Sequence, residues 1–491
     1  MSEPAAASPQ APRESFRDQV RSAVIWRSGT QIVGQMIAWA ATFLVIRILA
    51  PTDYGLFAMA QVVLMLLNLL NGYGLASALI QKPDVGPREL RQAFGMLVLL
   101  NLVLGLLQLA LAPMAAAYYR QEMVADLLRV QALLYLPTPF IAFSYALLAR
   151  RMDFRRQAQV NLVSSVMGAL AALGGALAGW GVWTLVFAPI VLFTTRAIGL
   201  TWAARSLMWP SFDFRGAGMM ARYGGLIAAG QLFAFMQSQA DVLIAGRLFE
   251  PHDIGIYTTA LFLTQIFQNK FVPPLNEVAF SAYARIQHDS RTVATAFAKA
   301  TRIIMIAALP FFIGLAVTAE PLVLVALGEK WRETVPIIQL IAVAMPFMTL
   351  FSLFPPVINA LGRPGISVRN AALGAVLLPL AFLVGIQWGI IGLAAVWIVA
   401  YPVQLAIAAW WTLPVIGISK REFVRAIAPP VFAALAMAAA VMLADRLMPA
   451  LPPLPRLAAL VTVGGAVYAG WLLAFSRGAV IELISLIRRR P

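Results

Sequence analysis

Apolar residues in this chain run in long blocks rather than alternating with polar ones. Blocks of roughly 20 or more apolar residues, the length that carries a helix across hydrocarbon, lie near 24–48, 55–80, 90–117, 124–148, 158–179, 181–204, 220–248, 254–283, 298–325, 334–361, 366–386, 389–413, 425–446 and 456–476. Short breaks separate them: Pro51-Thr-Asp53, Lys82-Pro83-Asp84, Gly179-Trp-Gly181, Pro251-His-Asp253, Gly362-Arg-Pro364-Gly365 and Pro452-Pro453. Pro and Gly are the residues that stop a helix or open a turn. The pattern predicts an all-α integral membrane protein with 14 transmembrane helices. Residues 1–20, rich in Ala, Pro and Ser, are expected to form a disordered cytoplasmic tail.

Composition agrees. The 491 residues are 61% hydrophobic and 12% charged, with a mean hydropathy of +0.81; a soluble domain is about 25% charged. There is no Cys and there are only two His, His252 and His288, which excludes thiol chemistry, disulfides and a multi-histidine metal site. The net charge of +16 is what membrane insertion produces when Lys and Arg collect on cytoplasmic loops. No nucleic-acid-binding motif accompanies it.

The basic residues also orient the chain. One set of breaks carries Arg13, Arg17 and Arg21, then Lys82, Arg88 and Arg91, then Arg150, Arg151, Arg155 and Arg156, and so on to Arg488, Arg489 and Arg490. The other set carries Arg47, Arg120, Arg247, Lys330, Arg332, Arg446 and Arg456, most with an acid close by. This alternation predicts both termini in the cytoplasm of a bacterial inner membrane. The outward loops are too short to hold a catalytic domain, and no P-loop motif is present. The chain is expected to be neither an enzyme nor an ATP-driven pump, with no catalytic residues and no cofactor.

A repeat organises the sequence. Arg47-Ile-Leu-Ala-Pro51-Thr-Asp53-Tyr-Gly55 returns as Arg247-Leu-Phe-Glu-Pro251-His-Asp253-Ile-Gly255, with Gln31 and Gln231 at the same offset. Trp180-Gly181 and Leu185 return as Trp388-Gly389 and Leu393. Duplicated halves around a central site are a common transporter plan. The expected division is an N-lobe of six helices over 21–215, a C-lobe of six over 216–415, and two further helices over 416–491. Six helices per lobe make the repeat parallel. In each repeated turn Pro stops the preceding helix, Asp caps the next and Gly allows close approach. A functional reading stands beside this structural one: an outer gate in which Arg47 pairs with Asp253, or Arg247 with Asp53.

Charges inside spans are costly, which makes each a functional candidate. Lys270 lies about 24 Å into its helix at 1.5 Å per residue, with Pro274 and Glu277 following. It is either a structural partner for an acid or a cation facing a wet cavity. Asp241 is either a partner for Lys270 or Arg247 or a proton or sodium site; Glu277 is the second coupling candidate. Arg27 is either a basic residue of the inner flank or a phosphate contact, for which its fork suits. Arg196 reads from its position as a snorkelling side chain.

The repeated turn, the run Ala279-Phe280-Ser-Ala-Tyr-Ala-Arg285-Ile-Gln287, then Leu327-Gly328-Glu329-Lys330-Trp331 and Asn359-Ala360-Leu361-Gly362-Arg363-Pro364 carry a resemblance. It covers about residues 20–440. The chain resembles Wzx-type flippases for polysaccharide repeat units, in the multidrug/oligosaccharidyl-lipid/polysaccharide exporter superfamily, on the colanic-acid and exopolysaccharide branch. The resemblance implies translocation of an undecaprenyl-diphosphate-linked oligosaccharide from the cytoplasmic to the periplasmic leaflet by alternating access. It implies that Lys270, Arg27 and Arg196 meet the head group, and that membrane lipids, a polysaccharide polymerase and glycosyltransferases are the partners, with H+ or Na+ where transport is ion-coupled. The alternatives are a cation-coupled drug antiporter of the same superfamily and a lipid II flippase.

Overall fold

The computed structural model describes residues 33–68, 86–213, 218–475 and 477, without the side chains of 218–231 and 234. Arg27, Gln31, the expected tail at 1–20 and the break at Lys82-Pro83-Asp84 lie outside the described residues. Among those described, every regular element is helical, and nine stretches are long and apolar enough to cross a membrane. The chain divides into two compact units: Met1–Val45, Asn71–Leu107 and Val130–Gly224 in the first, Ile46–Leu70, Gln108–Arg129 and Gly225–Pro491 in the second.

The first half of the chain forms α1 (Val33–Ile48), α2 (Pro51–Asn68), α3 (Pro87–Tyr119), α4 (Glu122–Gln131), α5 (Thr138–Arg150), α6 (Phe154–Leu177) and α7 (Trp183–Ala204). The first unit is built on the α6–α7 hairpin. A Cβ at Gly168 would lie 2.8 Å from Leu192, and one at Gly199 2.7 Å from Val160. Small residues bring helices together here because lipid tails leave no hydrophobic gain between apolar helices. The hairpin turns at Gly179 and Gly181, both at positive φ (75° and 55°), which L-residues with a Cβ adopt at a cost. Its repeat counterpart Gly389 also has positive φ, 73°. Phe94, Leu97, Phe143, Leu148 and Leu200 form the core of this unit. At one end Arg88 pairs with Asp213 at 2.8 Å, while Arg151 and Arg156 donate to the Ala204 and Ala203 carbonyls at the C-terminus of α7. Cations suit these orphan carbonyls.

The second unit contains α8 (Gly218–Leu248), α9 (Pro251–Ile286), α10 (Ser290–Val317), α11 (Ala319–Ala326), α12 (Thr334–Ser352), α13 (Phe354–Ala360), α14 (Pro364–Gly385), α15 (Gly389–Ile416), α16 (Lys420–Leu447) and α17 (Pro453–Phe475). Helices α2 and α9 pack on one another here, as do α10, α12 and α15. Ser419 and Glu422 close a capping box at the start of α16, satisfying two N-terminal donors. The last two helices are tied in by Tyr468, whose hydroxyl donates to the Ile306 carbonyl at 2.9 Å. Arg456 grips Asp445 at 2.7 Å and Glu320 at 3.1 Å.

Three apolar blocks expected as single spans contain breaks. The block at 124–148 passes through a 3-10 turn at Ala132–Tyr135 before α5 starts, because Pro137 and Pro139 lack the N–H groups an unbroken helix needs. The block at 298–325 breaks at Thr318, three residues before Pro321, and that at 334–361 breaks at Leu353, before Pro355-Pro356.

Candidate functional site

The repeated turns meet. A Cβ on Gly55 would lie 1.7 Å from the Pro251 carbonyl oxygen, and one on Gly255 would lie 1.7 Å from that of Pro51. The first turns of α2 and α9 therefore cross backbone to backbone about a local two-fold. No side chain fits at either position, and only the glycine hydrogens are small enough for that approach. Pro51 and Pro251 are each the first helical residue, where the missing N–H costs nothing. Asp53 works differently from expectation: it is the third helical residue and reaches back to accept from the Ala50 N–H at 3.0 Å. Asp253 lies in the first turn of α9, where its charge suits the helix dipole, and the capping position is held by Glu250 without a side-chain bond.

The two arginines of the repeat bind carbonyls. Arg47 donates to Val325 at 2.8 Å. Arg247 donates to Tyr118 at 3.3 Å and lies 5.0 Å above its ring. Neither Arg47–Asp253 nor Arg247–Asp53 forms an ion pair among the described residues; both arginines bond those carbonyls instead. The motif Leu327-Gly328-Glu329-Lys330-Trp331 locks onto the same end. Trp331, fully buried, donates from Nε1 to the Ile46 carbonyl at 2.9 Å and stacks edge-on against Tyr54. Lys330 Nζ donates to Ile48 at 2.6 Å. Burial pulls Lys330 below the usual lysine range, while the charge on Asp53 opposes that shift. The last turn of α1 thus has two orphan carbonyls, of Ile46 and Ile48, satisfied by one loop. Replacing Trp331 by Phe keeps the ring but leaves the buried Ile46 carbonyl unpaired, a cost of about 1–3 kcal/mol. The expected result is faster maleimide labelling of a cysteine placed at Ala60, which is buried on α2; an unchanged rate would remove Trp331 from the closure.

Asp241, on α8, is 2% exposed. It accepts from the Tyr257 hydroxyl at 2.9 Å and from the Val242 N–H at 2.8 Å. Tyr257 in turn accepts from Trp397 Nε1 at 2.9 Å, and Trp397 stacks on Tyr401 at 5.0 Å. No Lys or Arg pairs with Asp241 among the described residues, so neither Lys270 nor Arg247 is its partner. One turn away, Gln237 and Gln404 converge on Gly374, where a Cβ would lie 2.4 Å from Gln404 Nε2 and 2.7 Å from Gln237 Cδ. Gln404 is fully buried with neither amide atom bonded, an expensive arrangement in a span. A polar seam therefore runs through the second unit along α8 and α15.

Lys270 and Glu277 are exposed on the lower half of α9. Gln268 and Asn276 tie the other side of α9 to α12, through Thr349 at 3.0 Å and the Ser352 carbonyl at 3.0 Å. At about 100° per residue, Lys270 and Glu277 lie roughly 180–200° from Gln268, on the face turned away from α12. Arg196, in the first unit, lines a cavity of about 300 Å³ with Gln35, Gln157, Asn161 and Ser165. Its Nε donates to Ser164 Oγ at 3.3 Å. Sequence reasoning placed Arg196 without its surroundings. The signal was there: Gln157, Asn161 and Ser165 recur every four residues, a polar stripe on one helix face. Tyr257 and Trp397 gave no such signal, because Tyr257 reaches Asp241, and Trp397 reaches Tyr257, from two other helices.

Residues 44–336, more than half of the chain, match the family described as polysaccharide biosynthesis protein. The chain belongs to that family. Within it and beyond, the chain is 26% identical over 451 residues to the succinoglycan biosynthesis transport protein ExoT of Rhizobium meliloti (strain 1021), covering 90% of both chains. It is 21% identical to the lipopolysaccharide biosynthesis protein WzxC of Escherichia coli (strain K12), covering 86% of both. Among solved structures, the lipid II flippase MurJ in an inward closed conformation superposes with a TM-score of 0.76 at 13% identity, over 93% of this chain and all of that one. An inward-facing multidrug resistance MATE family transporter superposes at 0.61 with 14% identity, over 80% and 98%. The chain shares the fold of these solved structures, and with nine membrane-length apolar stretches among its described residues this family member is a multi-pass membrane protein.

Proposed function

We propose that this chain is a flippase for an undecaprenyl-diphosphate-linked oligosaccharide repeat unit, carrying it from the cytoplasmic to the periplasmic leaflet of a bacterial inner membrane. The observation that carries the reading is the similarity, along nine-tenths of both chains, to a succinoglycan biosynthesis transport protein. A diphosphate with attached sugars cannot cross hydrocarbon unaided, because desolvating its charges and hydroxyls is prohibitive. Fourteen helices, in lobes over 21–215 and 216–415 with two more over 416–491, would shelter that head group by alternating access. Both termini face the cytoplasm, and the 47–55 and 247–255 turns face outward. The alternation of basic residues between successive breaks supports that sidedness.

Lys270, Arg27 and Arg196 are the head-group cations. The outer gate comprises Arg47, Asp53, Arg247 and Asp253, closed by the Gly55–Gly255 crossing rather than by ion pairs. Asp241 and Glu277 couple transport to H+ or Na+, with Asp241 favoured because no cation pairs with it among the described residues. Asp241→Asn keeps the size of the group and removes its charge. It should cut the ion-stimulated part of export by roughly 5- to 150-fold, the range of coupling free energies; unchanged ion dependence makes Asp241 structural. The reading itself is tested in cells lacking the chain. Lipid-linked repeat units should accumulate on the cytoplasmic leaflet and polymer export should stop. Normal leaflet distribution would overturn it, and loss of viability through blocked peptidoglycan would point to lipid II instead.

A further inference from the structure

The helices α16 and α17 carry no part of the repeated turns, yet a line of contacts runs from them to the crossing. Arg456, in the first turn of α17, holds both oxygens of Asp445 near the end of α16: Nε donates to Oδ1 at 2.7 Å and Nη2 to Oδ2 at 2.8 Å. Its remaining nitrogen, Nη1, donates to Glu320 Oε2 on α11 at 3.1 Å. The other oxygen of Glu320 faces Arg332 at 3.5 Å, and Arg332 in turn holds Glu329 at 2.7 Å. Glu329 and Arg332 bracket Lys330 and Trp331, which bond the Ile48 and Ile46 carbonyls of α1. Two arginines and three carboxylates thus alternate in a row that ends against α1. The planar fork of Arg suits such shared, two-sided pairing.

The inner end of this row is shielded. The Arg456 and Asp445 side chains are 29% exposed, against 54% and 52% for the Arg129–Asp126 pair of the same unit. Salt screens partly buried pairs much less, whereas an exposed pair contributes little. Arg456 is not what keeps α16 and α17 in place. Tyr468 bonds α17 to the Ile306 carbonyl of α10, and α16 packs along α10. What the third nitrogen of Arg456 adds is a hold on Glu320.

We propose that α16 and α17 brace the closure at the repeated turns, with Arg456 and Glu320 as positioning residues that hold the Glu329–Arg332 turn against α1. The inference rests on the flippase reading at one point, that this closure is the outer gate.

The chain has no cysteine, so single cysteines at Ala60 on α2 and Ala433 on α16, both fully buried, report the closure and the helix pair separately. Maleimide labelling is followed on purified full-length protein. Arg456→Gln and Glu320→Ala should each quicken labelling at position 60 about tenfold, the value of one charge-assisted hydrogen bond, and leave position 433 unchanged. Arg456→Lys should quicken it less, because the charge remains. Arg456→Gln combined with Arg332→Gln should be less than additive, since both act through Glu320. Arg129→Gln should change neither rate. An unchanged rate at position 60 in R456Q, equal quickening at positions 60 and 433, full additivity, or the same effect from R129Q would each overturn the brace. Labelling uses no substrate, so the leaflet assay in deleted cells stands apart from it. Accumulation with an unchanged labelling rate removes the brace alone, while quickened labelling with normal leaflets removes the flippase reading alone.

Discussion

Alanine at Gly55 or at Gly255 is expected to force the α2–α9 crossing open and to halt transport. A Cβ at either position lands 1.7 Å from a backbone carbonyl oxygen. A long side chain could swing aside, but a carbonyl in the first turn of a helix cannot, so the helices themselves must separate. Overpacking costs about 1–3 kcal/mol and sometimes more, and the Trp331 and Lys330 bonds depend on the same closure. A loss of 3 kcal/mol shifts the closed population by roughly 100-fold. The two substitutions break one contact from its two sides, so the double variant should be far less than additive. Labelling of a cysteine at Ala60 should quicken in all three. Gly465→Ala is the control: nothing lies within 4 Å of its Cβ, and helix propensity favours the change by about 1 kcal/mol. Normal export by G55A and G255A would show that the crossing is not used in transport.

Lys270→Ala should be the most damaging charge removal. Lys270 sits on the face of α9 turned away from α12, and the reading makes it the main contact for the diphosphate. A hydrogen bond to a charged group is worth about 1.5–3 kcal/mol, so export should fall by roughly 10- to 100-fold. Lys270→Arg, which keeps the charge, should restore part of the activity, while membrane insertion is equal in both. Export that survives K270A would remove Lys270 from the site and leave the head group to Arg27 and Arg196.

The apolar blocks gave away helix positions because a span must hide its whole length from water. Where helix ends are polar they gave less. The start of α16 at Lys420 precedes the apolar block at 425–446 by five residues, since its capping box adds structure without hydrophobicity. The repeat spoke more clearly still: matched glycines predicted a close approach, and Gly55 and Gly255 make it with each other. Pairing was not legible. Arg47 and Arg247 read either as helix-end cations or as gate partners for the aspartates, and here they donate to the carbonyls of Val325 and Tyr118. Asp241 looked like a partner for a cation, yet a tyrosine from α9 and a tryptophan from α15 complete its surroundings. Sequence spacing reports neighbours along one helix and is silent about which side chains arrive from others.

Reconstitution tests the central claim most directly. Purified chain is placed in liposomes with a fluorescent undecaprenyl-diphosphate oligosaccharide, and a membrane-impermeant reagent destroys the label on the outer leaflet. A flippase makes the inner-leaflet label reachable, at a rate that falls with K270A; an inner pool that stays protected, as in protein-free liposomes, would contradict the account.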